Sequence, residues 1–100
     1  MKKPEECQSL GEVREAIDQL DQQVIQTLGL RFRYVKAASR FKTSTDSVRA
    51  ADRQAQMLLQ RRGWSEAAGL NPDVIEKMYR DLVAYFIEEE LKEWAGKPKA

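Results

Sequence analysis

At 100 residues, 42% hydrophobic and 33% charged, the chain reads as one soluble, helix-leaning domain whose core is modest or completed by a second copy. Its formal net charge of +1 argues against a dedicated nucleic-acid binder, which would carry a basic excess on one element. Histidine is absent, which removes the commonest general base, the usual partner of a serine or cysteine nucleophile and the commonest transition-metal ligand. No apolar run approaches the ~20 residues that span a bilayer, and the first residues, MKKPEECQ, lack the apolar core of a signal peptide, so cytoplasmic residence is expected. Cys7 has no second thiol with which to form a disulfide or a metal site and is assigned no chemical role. With no C-x-x-C, H-E-x-x-H, G-x-G-x-x-G or phosphate-loop pattern either, neither metal nor cofactor is expected.

Helical periodicity covers nearly the whole chain, and no alternating strand pattern interrupts it. Ser9 and Glu12 have the spacing of a capping box, which starts a first helix near Leu10. Its apolar stripe runs from Leu10 through Val13, Ile17, Leu20, Val24, Leu28, Val35 and Ala38, and the helix should reach Phe41 or Lys42 despite Gly29. Such a helix is about 48 Å long, too long for two shorter helices of the same chain to cover, so it asks for a partner. The small polar run from Thr43 to Ser47 reads as a loop. A second helix over residues 48–67 should place Val48, Ala51, Ala55, Leu58 and Leu59 inward, with Gly69 as its stop. Asn71 and Pro72 then cap a third helix that runs to about Trp94, with Ile75, Met78, Tyr79, Leu82, Phe86 and Leu91 among its apolar positions and Gly96 and Pro98 ending it. The expected fold is all-α, with three helices in one domain spanning residues 1–100.

Two cations stand on the first helix's stripe where core side chains belong, Arg31 and Lys42. A buried cation without a partner is costly, so each has a carboxylate, reaches water, or meets an anionic ligand. The structural reading of Arg31 is a salt bridge inside the bundle, and that of Lys42 a lysine at a helix end that snorkels to solvent. Arg14 flanks the same stripe, Arg53 lies on the second helix, and Glu90 follows Phe86 by four residues. Four cations and one carboxyl would suit a small dianion. Arg31 and Lys42 are about 16 Å apart along a helix and about 20° apart around it, within convergence of two long side chains. Arg14, about 25 Å before Arg31 and about 100° around the axis, is better placed to enter the pocket of an antiparallel second copy.

The segment LGEVREAIDQLDQQVIQTLGLR, the Arg31 to Lys42 spacing, the downstream DRQ and the late acidic position together resemble the all-helical chorismate mutase family. MKKPEECQSLGEVREAIDQLD and RYVKAASRFK are most similar to its isochorismate pyruvate lyase branch, which makes salicylate for siderophores. The resemblance covers essentially the whole chain. It implies an intertwined homodimeric bundle of the chorismate mutase II type, with two equivalent pockets and one arginine in each donated by the neighbouring chain. On this resemblance Arg14 of the partner and Arg31 bind substrate carboxylates, Lys42 closes over the site and donates to the ether oxygen, and Arg53 adds positive charge near a carboxylate. Val35, Met57 and Ile87 are candidates for an apolar wall, although residues of their kind are more often plain core. The family's pericyclic reactions also suit a chain without histidine, because they need a reactive conformer and fixed charges and no nucleophile.

Two departures bear on the subclass, and the first favours the lyase branch. Where mutases carry acids around the second-helix arginine to hold the chorismate hydroxyl, this chain has RAADRQ, with Ala50 and Gln54 in those places. Gln54 can still accept a hydrogen bond, so weak chorismate mutase activity accompanies the expected lyase. Glu90 stands where the lyases and many mutases carry a glutamine that donates to the ether oxygen. A charged carboxylate cannot donate and a protonated one can. Burial and the substrate's carboxylates would raise its pKa while Lys42 and the arginines would lower it, so the sequence leaves the sign open. A structural role for Glu90, paired with a cation in a network, is the alternative to its donor role, and the alternatives to the lyase are a chorismate mutase, restored by Gln54 and Glu90, and an inactive helical binding module. No membrane or nucleic-acid partner is expected.

Overall fold

A computed structural model describes residues 1–96 of the protein; the expected helix stop at Pro98 lies outside the described residues. Every regular element among them is helical. Helix α1 spans Leu10–Ala38, α2 Thr45–Arg49, α3 Ala51–Ala67 and α4 Pro72–Ala95, with short 3-10 turns at Pro4–Glu6 and Ser39–Phe41. Contacts divide the chain into two units, Met1–Tyr34 and the residues from Val35 onward. No helix is long and apolar enough to cross a membrane, among the residues described.

In the N-terminal unit the start of α1 is set by its cap. Ser9 Oγ accepts from the Glu12 amide at 3.1 Å, as the capping-box spacing predicts. The reciprocal arm lands one residue earlier: the Glu12 carboxylate accepts from the Gln8 amide at 2.8 Å rather than from Ser9, and also from Lys2 Nζ at 2.9 Å. No residue of α1 is buried. Leu10, Val13, Ile17, Leu20 and Val24, the apolar stripe of the sequence, are all exposed, Val24 at 54%.

In the second unit α4 is the element on which the rest pack: α3, α2 and the turn Ser39–Phe41 all contact it. Helix α1 tightens into that 3-10 turn, so helical rotation continues to Phe41 and Lys42 follows in extended conformation (φ −91°, ψ 141°). The polar run after it is only partly a loop. Ser44 and Ser47 cap each other, with Ser44 Oγ accepting from the Ser47 amide at 3.1 Å, and they start the short helix α2. Ala50 then takes a left-handed conformation (φ 45°, ψ 57°) that separates α2 from α3. This break corrects the expectation of one helix over residues 48–67. It resets the helical phase, so Val48 is buried from α2 while Ala51, Ala55 and Leu59 are exposed, Leu59 at 71%. The inner face of α3 is Met57, Leu58 and Ser65, flanked by the half-buried Gln54 and Arg61.

Met57 and Leu58 form a core cluster with Val83 of α4, against which Tyr79 and Ile87 pack. Phe86 is buried as the spacing implies, whereas Met78, expected inward, is exposed. The turn between α3 and α4 follows its sequence signals closely. Gly69 is left-handed (φ 78°) and closes a Schellman motif, with Leu70 N donating to Ser65 O at 2.9 Å and Gly69 N to Glu66 O at 3.0 Å. Asn71 Oδ1 caps α4 by accepting from the amides of Asp73 (2.9 Å) and Val74 (3.4 Å). Outside the core, Arg62 clasps α4 through Asp73 at 2.8 Å and Glu76 at 3.4 Å, which pins the two helices in register.

Candidate functional site

The second unit brings together the residues with the strongest chemical character. Lys42 emerges at the end of the Ser39–Phe41 turn, and its ammonium donates to Ser47 O at 2.9 Å. The same Nζ lies 3.8 Å from Glu90 Oε2, an ion-pair separation rather than a hydrogen bond. Glu90 is 4% exposed. Placing a carboxylate that deep in a 100-residue chain costs several kcal/mol unless a cation or a proton compensates, and Lys42 supplies a cation beside it. The pair therefore sets a proton donor beside a buried carboxyl.

One helical turn before Glu90 on α4, Ile87 lines a cleft of about 200 Å³ between α3 and α4, together with Gln54, Met57, Leu58, Arg80, Val83 and Ala84. Three side chains anticipated from the sequence, Gln54, Met57 and Ile87, thus share one cavity wall, while Glu90 lies further along α4, with Lys42 beside it, and neither is in that wall. Gln54 is the amide group there, able both to donate and to accept. Arg53, its neighbour on α3, is exposed. Val35 is half-buried at the start of this unit. Arg14 and Arg31 belong to the N-terminal unit, where Arg14 is exposed and Arg31 half-buried.

Two further residues escape a reading from periodicity and charge. Arg80 reaches the cleft while its Nε donates to Glu76 at 3.2 Å, and its only sequence signal is the four-residue spacing of that pair. Trp94 donates from its indole Nε1 to the carbonyl of Lys42 at 3.0 Å. Among the described residues no three His, Cys, Asp or Glu side chains cluster as a metal site would require.

An arrangement of a lysine donor, a buried carboxyl, an amide and an apolar wall offers hydrogen bonds and fixed charge, with no nucleophile activated by a base. It suits a reaction in which charge develops on one substrate oxygen while the substrate supplies its own bonding partners. Compared with known proteins, the chain matches the profile of the chorismate mutase type II family over residues 13–91. It is 44% identical over 94 residues to the isochorismate pyruvate lyase of Pseudomonas aeruginosa, an alignment that covers 94% of this chain and 93% of that relative.

Proposed function

The chain belongs to the chorismate mutase type II family, and from that premise we propose that it is an isochorismate pyruvate lyase, releasing pyruvate from isochorismate and leaving salicylate. The observation that carries this reading is the Lys42 ammonium 3.8 Å from the buried Glu90, one turn from a cleft that holds Gln54, Met57 and Ile87. The products dictate the bond changes. Pyruvate's methyl group needs one hydrogen more than the enolpyruvyl methylene, and the aromatic ring of salicylate one fewer than the diene ring. A ring hydrogen therefore passes to the methylene as the ring carbon–oxygen bond breaks, within a single molecule. The protein contributes a compact conformer and stabilises the negative charge that gathers on the departing ether oxygen.

In this reading Lys42 leaves Ser47 O to donate to that oxygen, and Glu90, when protonated, supplies a second hydrogen bond. Met57, Ile87 and Val35 press the enolpyruvyl group against the ring. Arg31 and Arg53 bind carboxylates of the dianion, with Arg14 arriving from a second copy of the chain. Support for a homodimer is the exposed stripe Leu10, Val13, Ile17, Leu20 and Val24, a row of apolar side chains that water disfavours and a second helix could cover. Gln54 in the cleft favours weak chorismate mutase activity as well, because its amide can accept from a substrate hydroxyl.

The deciding assay gives the purified protein isochorismate and chorismate separately and follows salicylate, pyruvate and prephenate. Salicylate with equimolar pyruvate is the expected result. Prephenate alone would make the protein a mutase, and no product from either substrate would leave a binding module.

A further inference from the structure

Lys42 is fixed at both ends by one helix, and only one of the two contacts follows from the chemistry of the site. Its ammonium faces Glu90, and its backbone carbonyl accepts from Trp94 Nε1 at 3.0 Å, across 52 residues of sequence. Glu90 and Trp94 are four residues apart, so they project from one face of α4 on successive turns. The indole has a single donor and no acceptor, and here that donor is spent on Lys42. The contact falls where the chain needs it. Lys42 has just left the 3-10 turn, its amide bonded to Ser39 O at 3.3 Å, and the following residues are held to one another by the Ser44 and Ser47 caps. The indole bond ties the Lys42 backbone to α4 across that distance in sequence.

We propose that Trp94 is a positioning residue: by holding the Lys42 carbonyl to α4 it sets where the ammonium at the other end of that residue can reach, and so places the donor on the breaking carbon–oxygen bond. The inference rests on the lyase reading above. A flexible four-carbon side chain delivers its charge accurately only from a fixed backbone, and a misplacement of about 1 Å can cost about 100-fold in rate. Because the affected interaction forms in the transition state, the loss belongs in kcat rather than in KM.

The test compares the full-length protein with Trp94→Phe, which keeps a ring and removes the N–H. A second variant guards against loss of packing: Trp64→Phe protein grown with 3-benzothienylalanine in place of tryptophan, which exchanges the indole N–H for sulfur at nearly unchanged shape. Both should fold and release pyruvate with kcat lower by about 10- to 100-fold and KM within about twofold. In the Trp94→Phe background, Lys42→Ala should cost correspondingly less than in the parent, since the tether and the donor act as one unit. A purely structural tryptophan gives multiplicative losses instead, and that outcome overturns the proposal, as does an unchanged kcat in the isosteric variant. A second readout does not depend on turnover: acetylation by an N-hydroxysuccinimide ester, mapped by mass spectrometry, should modify Lys42 several-fold faster in Trp94→Phe, relative to the exposed Lys77. Equal Lys42 labelling refutes the tether even if the protein proves inactive on isochorismate, whereas faster labelling without any turnover in the parent refutes the lyase and not the tether.

Discussion

Glu90 exerts its influence through one proton. Buried at 4% exposure and 3.8 Å from the Lys42 ammonium, it can act as a carboxylate that holds the lysine or as an acid that donates to substrate. In the proposed reaction only the second form would help the departing oxygen, and the first would oppose a dianionic substrate electrostatically. Turnover should therefore follow the protonated fraction, high in acid and falling as pH rises through the Glu90 pKa. In Glu90→Gln the amide donates at every pH, so kcat/KM should lose that limb and exceed the parent's at neutral pH. Profiles of the two proteins from pH 4 to 9 check this, and a parent profile that stays flat would assign Glu90 to the structural ion pair alone.

At the scale of elements, local capping chemistry carries most of the sequence-to-structure correspondence, and it has measurable consequences. The Gln8 amide, and after it Lys2, hold the Glu12 carboxyl below the usual carboxylate range. A carboxyl whose folded pKa is lowered stabilises above its unfolded value and loses that contribution as pH falls through the folded one. The denaturation midpoint of the parent should thus exceed that of Glu12→Gln at pH 7, and the gap should close as pH falls below the usual carboxylate range. Ala50 presents the opposite case, a left-handed residue with a Cβ, at a cost of roughly 1–2 kcal/mol. Ala50→Gly should raise stability by about 1 kcal/mol, read from urea unfolding. That residue also marks where the sequence stops being legible. Ser9, Gly69, Asn71 and Pro72 announce helix ends because two or three neighbouring residues decide each end, whereas alanine carries no left-handed preference. The break at Ala50 is therefore invisible in the sequence, and with it the phase of α3, which is why Ala51, Ala55 and Leu59 appear inward by spacing and lie outward in the fold. In the site, Lys42 and Glu90 are legible because charged residues on apolar faces demand an explanation. Trp94 and Arg80 are not, since nothing local distinguishes an indole or a surface arginine that meets a distant partner.

The whole molecule poses a question that one chain cannot answer, because α1 buries none of its residues while carrying an apolar stripe. A symmetric antiparallel pairing of two copies would cover that stripe and bring the early part of each α1 beside the later part of the other, which is how Arg14 is proposed to enter its partner's pocket. Complementation separates that exchange from a site built within one chain. If two copies pair and exchange Arg14 as proposed, Arg14→Ala and Lys42→Ala dimers each lack one of the proposed cations in both pockets and should be nearly inactive, the second by about 10²–10³-fold in kcat. Unfolded together in equal amounts and refolded, half of the resulting dimers are mixed. In a mixed dimer with exchange, one pocket takes Lys42 from the first chain and Arg14 from the second and is intact, while the other pocket collects both lesions. The refolded mixture should recover about a quarter of parental activity, against essentially none if each chain uses its own Arg14, since every pocket would then keep one lesion. Sedimentation of the two variants at the parent's dimer mass would show that the losses arise in the pocket and not in assembly, and a mixture that stays inactive despite forming mixed dimers would place Arg14 outside the partner's site.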